Sequence, residues 1–224
     1  MKENKKLKVL NLYAGIGGNR KLWENVDVTA IENNPEIAKI YQDFFPDDKI
    51  IVADALKYLV NHYKEFDFIW SSPPCQSHSK VRLMASKSGS YSEVLPDMSL
   101  WQQIIFLKYY CDCKWVVENV KPYYKPLIKP QEAGRHFFWC NFIILNKKKD
   151  GLTHNERGTK KIGMDISKYN LSHRKDQILR NCVHPKLGLH IFEMAFKKKQ
   201  KQMGDFCTKP KEVLNQITTI HNKS

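Results

Sequence analysis

A series of short apolar runs, each ended by a glycine or a polar residue, is the feature that most constrains the fold of this chain. The first run is VLNLYA before Gly15, and similar runs follow at residues 28–32, 50–53, 66–71 and 115–118. Such runs are typical of strands buried on both faces of a parallel sheet. Segments with helical patterning separate them, most clearly residues 34–45, which open with Asn-Pro, and residues 98–111. This alternation predicts an α/β fold with a doubly wound, mostly parallel sheet.

The pattern becomes less regular after residue 122. Residues 137–145 are predicted to form one more strand, and residues 147–161 a polar, lysine-rich loop. Two helices are predicted near the end of the chain. One is capped by Ser172 and continues to Arg180, and the other covers residues 185–196. The basic tail that begins with KKKQKQ is expected to fray.

The charge balance points to a class of partner. The chain of 224 residues carries 37 Lys and Arg against 23 Asp and Glu, a formal net charge of +14. An excess of positive charge favours a polyanionic partner, because Lys and Arg that neutralise phosphates release condensed counterions. A solvated basic surface without any partner accounts for the charge equally well. The charge therefore becomes informative only beside residues that carry chemistry.

Several classes of protein are disfavoured. No apolar run reaches the roughly 18 residues that a spanning helix needs, and the N-terminus runs into a strand without an apolar signal core. We therefore expect a cytoplasmic protein, of a bacterial or phage-infected cell, without a membrane partner.

The six cysteines are scattered rather than arranged as a disulfide framework. The closest two, Cys111 and Cys113, have C-x-C spacing with no second cluster nearby, so no metal site is predicted.

Three predicted strand ends carry residues suited to a nucleoside. The loop YAGIGG, residues 13–18, follows the first strand, Glu32 closes the second and Asp54 follows the third. Ligands of such folds bind where the carboxyl ends of the strands meet, glycines admit close approach, and a carboxylate accepts hydrogen bonds from ribose hydroxyls. A dinucleotide fingerprint would need a glycine where Arg20 stands. A nucleoside cofactor without a pyrophosphate is therefore favoured, and S-adenosylmethionine is the candidate.

The fourth predicted strand ends in SSPPCQ, which presents Cys75 at the same edge. Two prolines fix the backbone before Cys75 and exclude a helix there. A lone cysteine is more often a buried structural residue, but its place at the ligand-binding edge favours a nucleophile. The fifth strand ends in Glu118-Asn119-Val120. Because neighbouring parallel strands end together, Glu118 is expected beside Cys75.

These motifs, in this order, resemble those of the C5-cytosine DNA methyltransferases. The matching segments are NLYAGIGG, AIENNP, VADA, SSPPCQS, VVENV, then QEAGR and LRNCVHP. The resemblance spans about residues 8–190 and implies a Rossmann-like methyltransferase fold with a small target-recognition insertion. It also implies three parts: a catalytic core over residues 1–140, a reduced target-recognition region over residues 141–178, and a C-terminal segment over residues 179–224 that returns to the cofactor pocket and ends in the basic tail.

The resemblance assigns catalytic roles to three residues. Cys75 attacks carbon 6 of cytosine as a thiolate, Glu118 hydrogen-bonds or protonates ring nitrogen 3, and Arg135 holds the exocyclic oxygen. Carbon 5 then attacks the methyl group of S-adenosylmethionine, and loss of the carbon 5 proton expels Cys75. An ordinary cysteine is mostly protonated at pH 7, so we expect positive charge or a helix N-terminus beside Cys75.

Cofactor and DNA contacts are implied in the same way. The residues expected around S-adenosylmethionine are Tyr13 on the adenine, Gly15 and Gly17 at the methionine portion, Glu32 at the ribose, Asp54 at the adenine amine, Pro74 beside the nucleophile, and Asn181 at the methionine end. Core packing is the plainer role for Tyr13, and a helix N-cap for Asp54. Duplex DNA is expected to meet Gln76, Lys80 and Arg82. They lie in a serine-rich segment, residues 76–95, that suits a mobile loop closing over a flipped-out cytosine.

Two departures from the family pattern bear on specificity. Ala133 replaces the first arginine of the family's Q-x-R-x-R element, and only residues 141–178 remain for target recognition. We expect a short or relaxed recognition sequence, or one read partly by a separate specificity subunit. A nuclease partner, as in restriction-modification, is also compatible with the sequence.

Other functions stay open. An enzyme that methylates carbon 5 of cytosine in tRNA would share Cys75 and Glu118. A catalytically inactive DNA-binding subunit is favoured by the loss at Ala133 and disfavoured by the retention of Cys75, Glu118 and Arg135 together. A DNA amino-methyltransferase is disfavoured, because those enzymes carry an aromatic residue where Cys75 follows the prolines.

Overall fold

The computed structural model of the protein describes residues 5–145, 162–172 and 174–197. The strands within them are β1 (Leu7–Leu12), β2 (Val26–Glu32), β3 (Lys49–Val52), β4 (Phe68–Ser71), β5 (Lys114–Val120), β6 (Gln131–Ala133) and β7 (His136–Cys140). They form one sheet in the order β3-β2-β1-β4-β5-β7-β6. The first five strands are parallel, while β7 is antiparallel to β5 and β6 to β7. The predicted α/β fold with a doubly wound, mostly parallel sheet is confirmed.

Helices cover both faces of this sheet. The helices of the described residues are α1 (Pro35–Phe44), α2 (Ala55–His62), α3 (Lys80–Lys87), α4 (Ser99–Tyr110), α5 (Lys175–Asn181) and α6 (Pro185–Phe196). Of these, α1, α2, α4 and α6 pack on the sheet. The predicted helices over residues 34–45, 98–111 and 185–196 are confirmed as α1, α4 and α6. The Asn34 side chain caps α1 by accepting hydrogen bonds from the N–H groups of Glu36 and Ile37.

The core forms because each central strand sends alternate side chains to opposite faces. On one face Val9 and Phe68 pack with Trp23, α1 and α6. On the other face Leu10 and Ile69 pack with α2 and α4. Both faces are therefore apolar, which accounts for the continuous apolar runs in the sequence.

The strand predicted over residues 137–145 is wrong beyond Cys140. The hydrogen-bonded ladder ends there, and the side chain of Gln131 makes the contacts that a strand backbone would make. Its amide nitrogen donates to the carbonyl oxygen of Phe142 at 2.7 Å, and its oxygen accepts from the N–H of Ile144 at 2.8 Å. Residues 141–145 are thus held to the sheet without forming part of it.

The predicted cap of the penultimate helix is also wrong. This helix, α5, begins at Lys175, whereas the hydroxyl of Ser172 donates to the carboxylate of Glu36 at 2.7 Å. Ser172 therefore ties the chain to the first turn of α1. The loop predicted over residues 147–161 and the tail beyond Lys197 lie outside the described residues.

The segment over residues 76–95, expected as a mobile loop, contains a short 3₁₀ turn and the eight-residue helix α3. The Ser79 side chain caps α3 by accepting from the N–H of Arg82 at 3.1 Å.

None of the helices in the described parts of the chain is long and apolar enough to cross a membrane.

The close packing of α6 on the segment after the glycine loop gives a stability prediction. A Cβ atom at Gly188 would clash with the backbone of Asn19, and the Gly188 carbonyl accepts from the Trp23 indole at 3.2 Å. We expect Gly188→Ala to lower the free energy of unfolding by about 1–3 kcal/mol in urea titrations, in spite of alanine's better helix propensity. Lys186→Ala, at an exposed position of the same helix, should stay within about 0.5 kcal/mol of the wild type. A Gly188→Ala protein as stable as the wild type would contradict this packing.

Candidate active site

The pairing of β4 with β5 brings the predicted nucleophile and glutamate to one edge of the sheet. Ser71, the last residue of β4, is in register with Val117, so the chain leaves β4 beside Glu118. The buried side chain of Asn119 donates to the Pro73 carbonyl oxygen at 2.9 Å. Because Pro73 lies two residues before Cys75, this hydrogen bond anchors the nucleophile loop to β5.

The environment of Cys75 differs from the expectation. Cys75 lies at the start of a 3₁₀ turn, Gln76–His78, that is only three residues long. Burial, and then the negative charge of Glu118, raise the pKa of Cys75 to about 11. The expected help from positive charge or a helix N-terminus is wrong for this arrangement. At neutral pH the thiol is protonated, and a further step must remove its proton.

One neighbour of Glu118 could not be predicted from the sequence motifs. The Glu118 side chain is only 8% exposed, and its Oε1 atom forms a hydrogen bond with Nδ1 of His136, which is 18% exposed. His136 is the first residue of β7 and pairs with Val120 of β5. The antiparallel return of β7 creates this contact, and only knowledge of that register could have predicted it.

Arg135, predicted to hold the exocyclic oxygen of the base, directly precedes His136, and its role stays a prediction. It is exposed in the two-residue turn between β6 and β7, beside Gly134 with its φ of +61°. Among the described residues, no hydrogen bond or ion pair joins Arg135 to Glu118. Ala133, which occupies the place of the family's first arginine, is buried opposite His136.

The glycine loop is fixed by Glu32 at the end of β2. One carboxylate oxygen accepts from the N–H of Gly15 at 3.0 Å and the other from the N–H of Asn34 at 3.0 Å. Gly15 has φ +54°, and a Cβ atom built on it would meet nothing within 4 Å. This open space beside a strand-end carboxylate is the cradle that a nucleoside cofactor needs, so the residues present fit S-adenosylmethionine.

Gly17 has a different surrounding. A Cβ atom there would clash with the ring of Phe45 and come within 2.9 Å of the Tyr41 ring. The glycine is therefore required for packing of the loop onto α1. Its predicted contact with the methionine portion stays a prediction.

Tyr13 and Asp54 lie near each other at the ends of β1 and β3. The Tyr13 hydroxyl accepts from the Gln103 amide at 3.0 Å. Burial, with a smaller contribution from the Asp54 charge, raises the pKa of Tyr13 to about 12. Asp54 is exposed and caps α2, accepting from the N–H of Lys57 at 2.8 Å. Part of the Asp54 carboxylate is therefore already engaged as the N-cap that its sequence position allowed.

The C-terminal segment reaches the glycine loop through the residues after Asn181. A Cβ atom on Gly18 would lie 2.8 Å from the Val183 carbonyl oxygen and 2.9 Å from Cβ of Cys182. Asn181 itself is exposed, and its side-chain oxygen accepts from Gln177 at 2.8 Å. Its assignment to the methionine end stays a prediction.

The residues predicted to meet DNA divide into two groups. Gln76 and Lys80 are exposed, as is Pro74 beside the nucleophile. Arg82 is half-buried: its guanidinium lies 4.6 Å from the centre of the Tyr91 ring and donates to the Ser92 carbonyl oxygen at 3.1 Å. In this conformation Arg82 holds the segment after the nucleophile together.

Within the described residues, no group of three or more His, Cys, Asp or Glu is placed to hold a metal ion.

Comparison with known proteins identifies the family. Residues 7–123, just over half of the chain, match the family model for the C-5 cytosine-specific DNA methylases. The chain belongs to this family, whose cofactor is S-adenosylmethionine, as the sequence motifs predicted. No curated protein matches the chain.

Several solved structures are similar over about half of this chain. The Entamoeba histolytica methyltransferase EhMeth is 21% identical over 52% of this chain and 38% of its own, with a TM-score of 0.34. A Spodoptera frugiperda DNMT2 mutant is 25% identical over 52% and 36%, with a TM-score of 0.38. A DNA modification methyltransferase of an E. coli prophage, described as putative, is 18% identical over 54% and 34%, with a TM-score of 0.36. The chain spans between a third and two fifths of the lengths of these proteins.

The raised pKa of Cys75 gives a prediction that needs no substrate. Only the thiolate reacts with iodoacetamide, so the alkylation rate at Cys75 should rise about tenfold per pH unit from pH 7 to 10. Glu118→Gln removes the nearby negative charge, lowers the pKa of Cys75 and should speed alkylation at pH 8. Mass spectrometry of the peptide that contains Cys75 measures both rates. A rate that levels off below pH 9 in the wild type would contradict the raised pKa.

Proposed function

We propose that this protein transfers a methyl group from S-adenosylmethionine to carbon 5 of a flipped-out cytosine in duplex DNA, through a covalent adduct with Cys75. The observation that carries the proposal is the placement of Cys75 beside the buried carboxyl group of Glu118, at the sheet edge that also holds the open glycine cradle. Family membership supports the reaction class, and the net charge of +14 fits a polyanionic substrate.

Carbon 5 of cytosine is a poor nucleophile until the aromaticity of the ring is broken. In the proposed sequence the Cys75 thiol loses its proton and the sulfur bonds to carbon 6, which displaces an electron pair of the ring toward nitrogen 3. Glu118 protonates that nitrogen and is left as a carboxylate. Carbon 5, now part of an enamine, forms a bond to the methyl group as the bond between that methyl group and the cofactor's sulfonium sulfur breaks. A solvent base then takes the carbon 5 proton, the electron pair of that C–H bond restores the double bond to carbon 6, and the bond from carbon 6 to sulfur breaks and returns the Cys75 thiolate. Ring nitrogen 3 gives its proton back to Glu118.

The raised pKa of Cys75 suits this proton balance. A thiol that holds its proton until the base arrives can pass that proton toward the Glu118 carboxylate, which needs one to donate to the ring nitrogen. When bound, S-adenosylmethionine supplies the electrophilic methyl group. The residues proposed to hold it are Tyr13, Gly15, Gly17, Glu32, Asp54, Pro74 and Asn181, while Arg135 is proposed to reach the exocyclic oxygen once the target base has entered.

Base flipping is required because carbon 6 is inaccessible to Cys75 within a duplex. Gln76, which follows the nucleophile directly, and Lys80 are both exposed, so DNA can reach their side chains. The Arg82 guanidinium contacts Tyr91 and Ser92 in this structure, and we propose that it turns toward the phosphates when DNA binds. Rearrangement of the segment over residues 76–95 therefore belongs to the proposed binding step. A separate specificity or nuclease partner stays compatible with the short recognition region.

The inactive DNA-binding subunit has one observation in its favour: Arg135 is exposed, and among the described residues no hydrogen bond or ion pair joins it to Glu118. It predicts tight binding to duplex DNA without methyl transfer. A tRNA substrate is the other alternative, and it would use the same Cys75 and Glu118.

The deciding experiment incubates the purified protein with tritiated S-adenosylmethionine and either duplex DNA or total tRNA. The expected product is 5-methylcytosine in DNA, and Cys75→Ser should lower its formation by at least about a thousandfold while cofactor affinity stays within about twofold. The cofactor affinity of each protein is measured by calorimetry. Label in tRNA alone would move the substrate to RNA, and methyl transfer that persists in Cys75→Ser would remove Cys75 from the nucleophile role.

A further inference from the structure

The residue beside Glu118 gives an inference that goes beyond the motif residues. We propose that His136 is a positioning residue of this active site: its Nδ1–H group binds one carboxyl oxygen of Glu118 and thereby aims the other oxygen at the cytosine ring. This inference rests on the function proposed above. It adds to the reaction a residue that lies outside the segments that match the family motifs.

The contact is specific to one atom of each group. Nδ1 of His136 meets Oε1 of Glu118, and both side chains are largely shielded from solvent. Among the described residues, this is the hydrogen bond that the Glu118 side chain makes. The second carboxyl oxygen therefore stays free for a ligand, while rotation of the carboxyl group is restricted. A general acid must reach its proton acceptor within hydrogen-bonding distance, so a restriction of this kind bears directly on catalysis.

The sheet register explains why His136 can reach this place. Glu118 pairs with Phe138 and Val120 with His136 across β5 and β7, so the four side chains share one face of the sheet. The imidazole is diagonal to Glu118, at a separation that a ring can bridge. In the next strand Ala133 pairs with His136. Its small side chain leaves room for the imidazole, where a long arginine side chain would compete for the same face.

The neighbouring charged groups have other partners or other positions. Lys121 forms an ion pair with Glu132, and both are exposed to a third or more of their surface. Arg135 lies in the exposed hairpin turn between β6 and β7. The Cys75 thiol lies near Glu118 and has its pKa raised by that charge. Among the described residues, His136 is therefore the hydrogen-bond donor that is placed to hold the Glu118 side chain.

Kinetics of matched variants test this role. We expect His136→Ala to lower kcat about 10- to 100-fold while the dissociation constant of S-adenosylmethionine changes less than about twofold, because only the orientation of Glu118 is lost. His136→Asn keeps an N–H donor near the Nδ1 position and should recover most of the lost kcat. His62→Ala is the matched control, since it breaks a surface hydrogen bond between His62 Nδ1 and Glu65 that measures 2.7 Å. Its kcat should equal that of the wild type.

NMR spectra test the hydrogen bond between His136 and Glu118 without any substrate. Long-range ¹H–¹⁵N spectra of the imidazole groups should show His136 protonated at Nδ1, and Glu118→Gln should shift that signal. A His136 that carries its proton only at Nε2 would overturn the inference whatever the activity. So would a His136→Ala enzyme with unchanged kcat, or a His136→Asn enzyme as impaired as His136→Ala. A wild-type protein that methylates neither DNA nor tRNA would instead overturn the proposed function, and the spectra would still decide the hydrogen bond.

Discussion

Parallel pairing between β4 and β5 is the constraint on which the site depends. It sets the end of one strand beside the carboxylate of the next, so that Cys75 and Glu118 become neighbours although 43 positions separate them along the chain. The Asn119 side chain strengthens this arrangement by holding the Pro73 carbonyl. The two prolines and the Asn119 amide thus fix the conformation of the loop that follows β4. Slippage of the register by one residue would turn Glu118 to the opposite face.

Much of this architecture could be predicted from the sequence, because local patterns determine it. The apolar runs identified the five parallel strands, and Asn-Pro at residues 34–35 identified the start of α1. Glu32 and Asp54 could be placed at strand ends for the same reason. What could not be predicted depends on contacts between distant segments. The β6–β7 hairpin is short, and the ladder ends at Cys140 because the Gln131 side chain, rather than backbone, engages the chain beyond it.

The electrostatics of the site were the least predictable part. Because the implied mechanism needs a thiolate, positive charge or a helix N-terminus was expected beside Cys75, whereas burial and Glu118 raise its pKa. A motif identifies which groups meet, but the pKa of Cys75 depends on how far burial removes water and on the charge of its neighbour. The contact of His136 with Glu118 was equally hidden from the motifs, because it follows from an antiparallel register that no single motif contains.

The contact between α6 and the segment after the glycine loop has a consequence for the order of folding. The Trp23 indole and the Gly188 carbonyl are 165 positions apart in sequence. On the ribosome the glycine loop and the segment after it emerge long before α6, which packs against that segment. Closing so long a loop is entropically slow. Until residues 185–196 have emerged, the nascent chain therefore lacks the packing of α6 that supports the segment after the glycine loop.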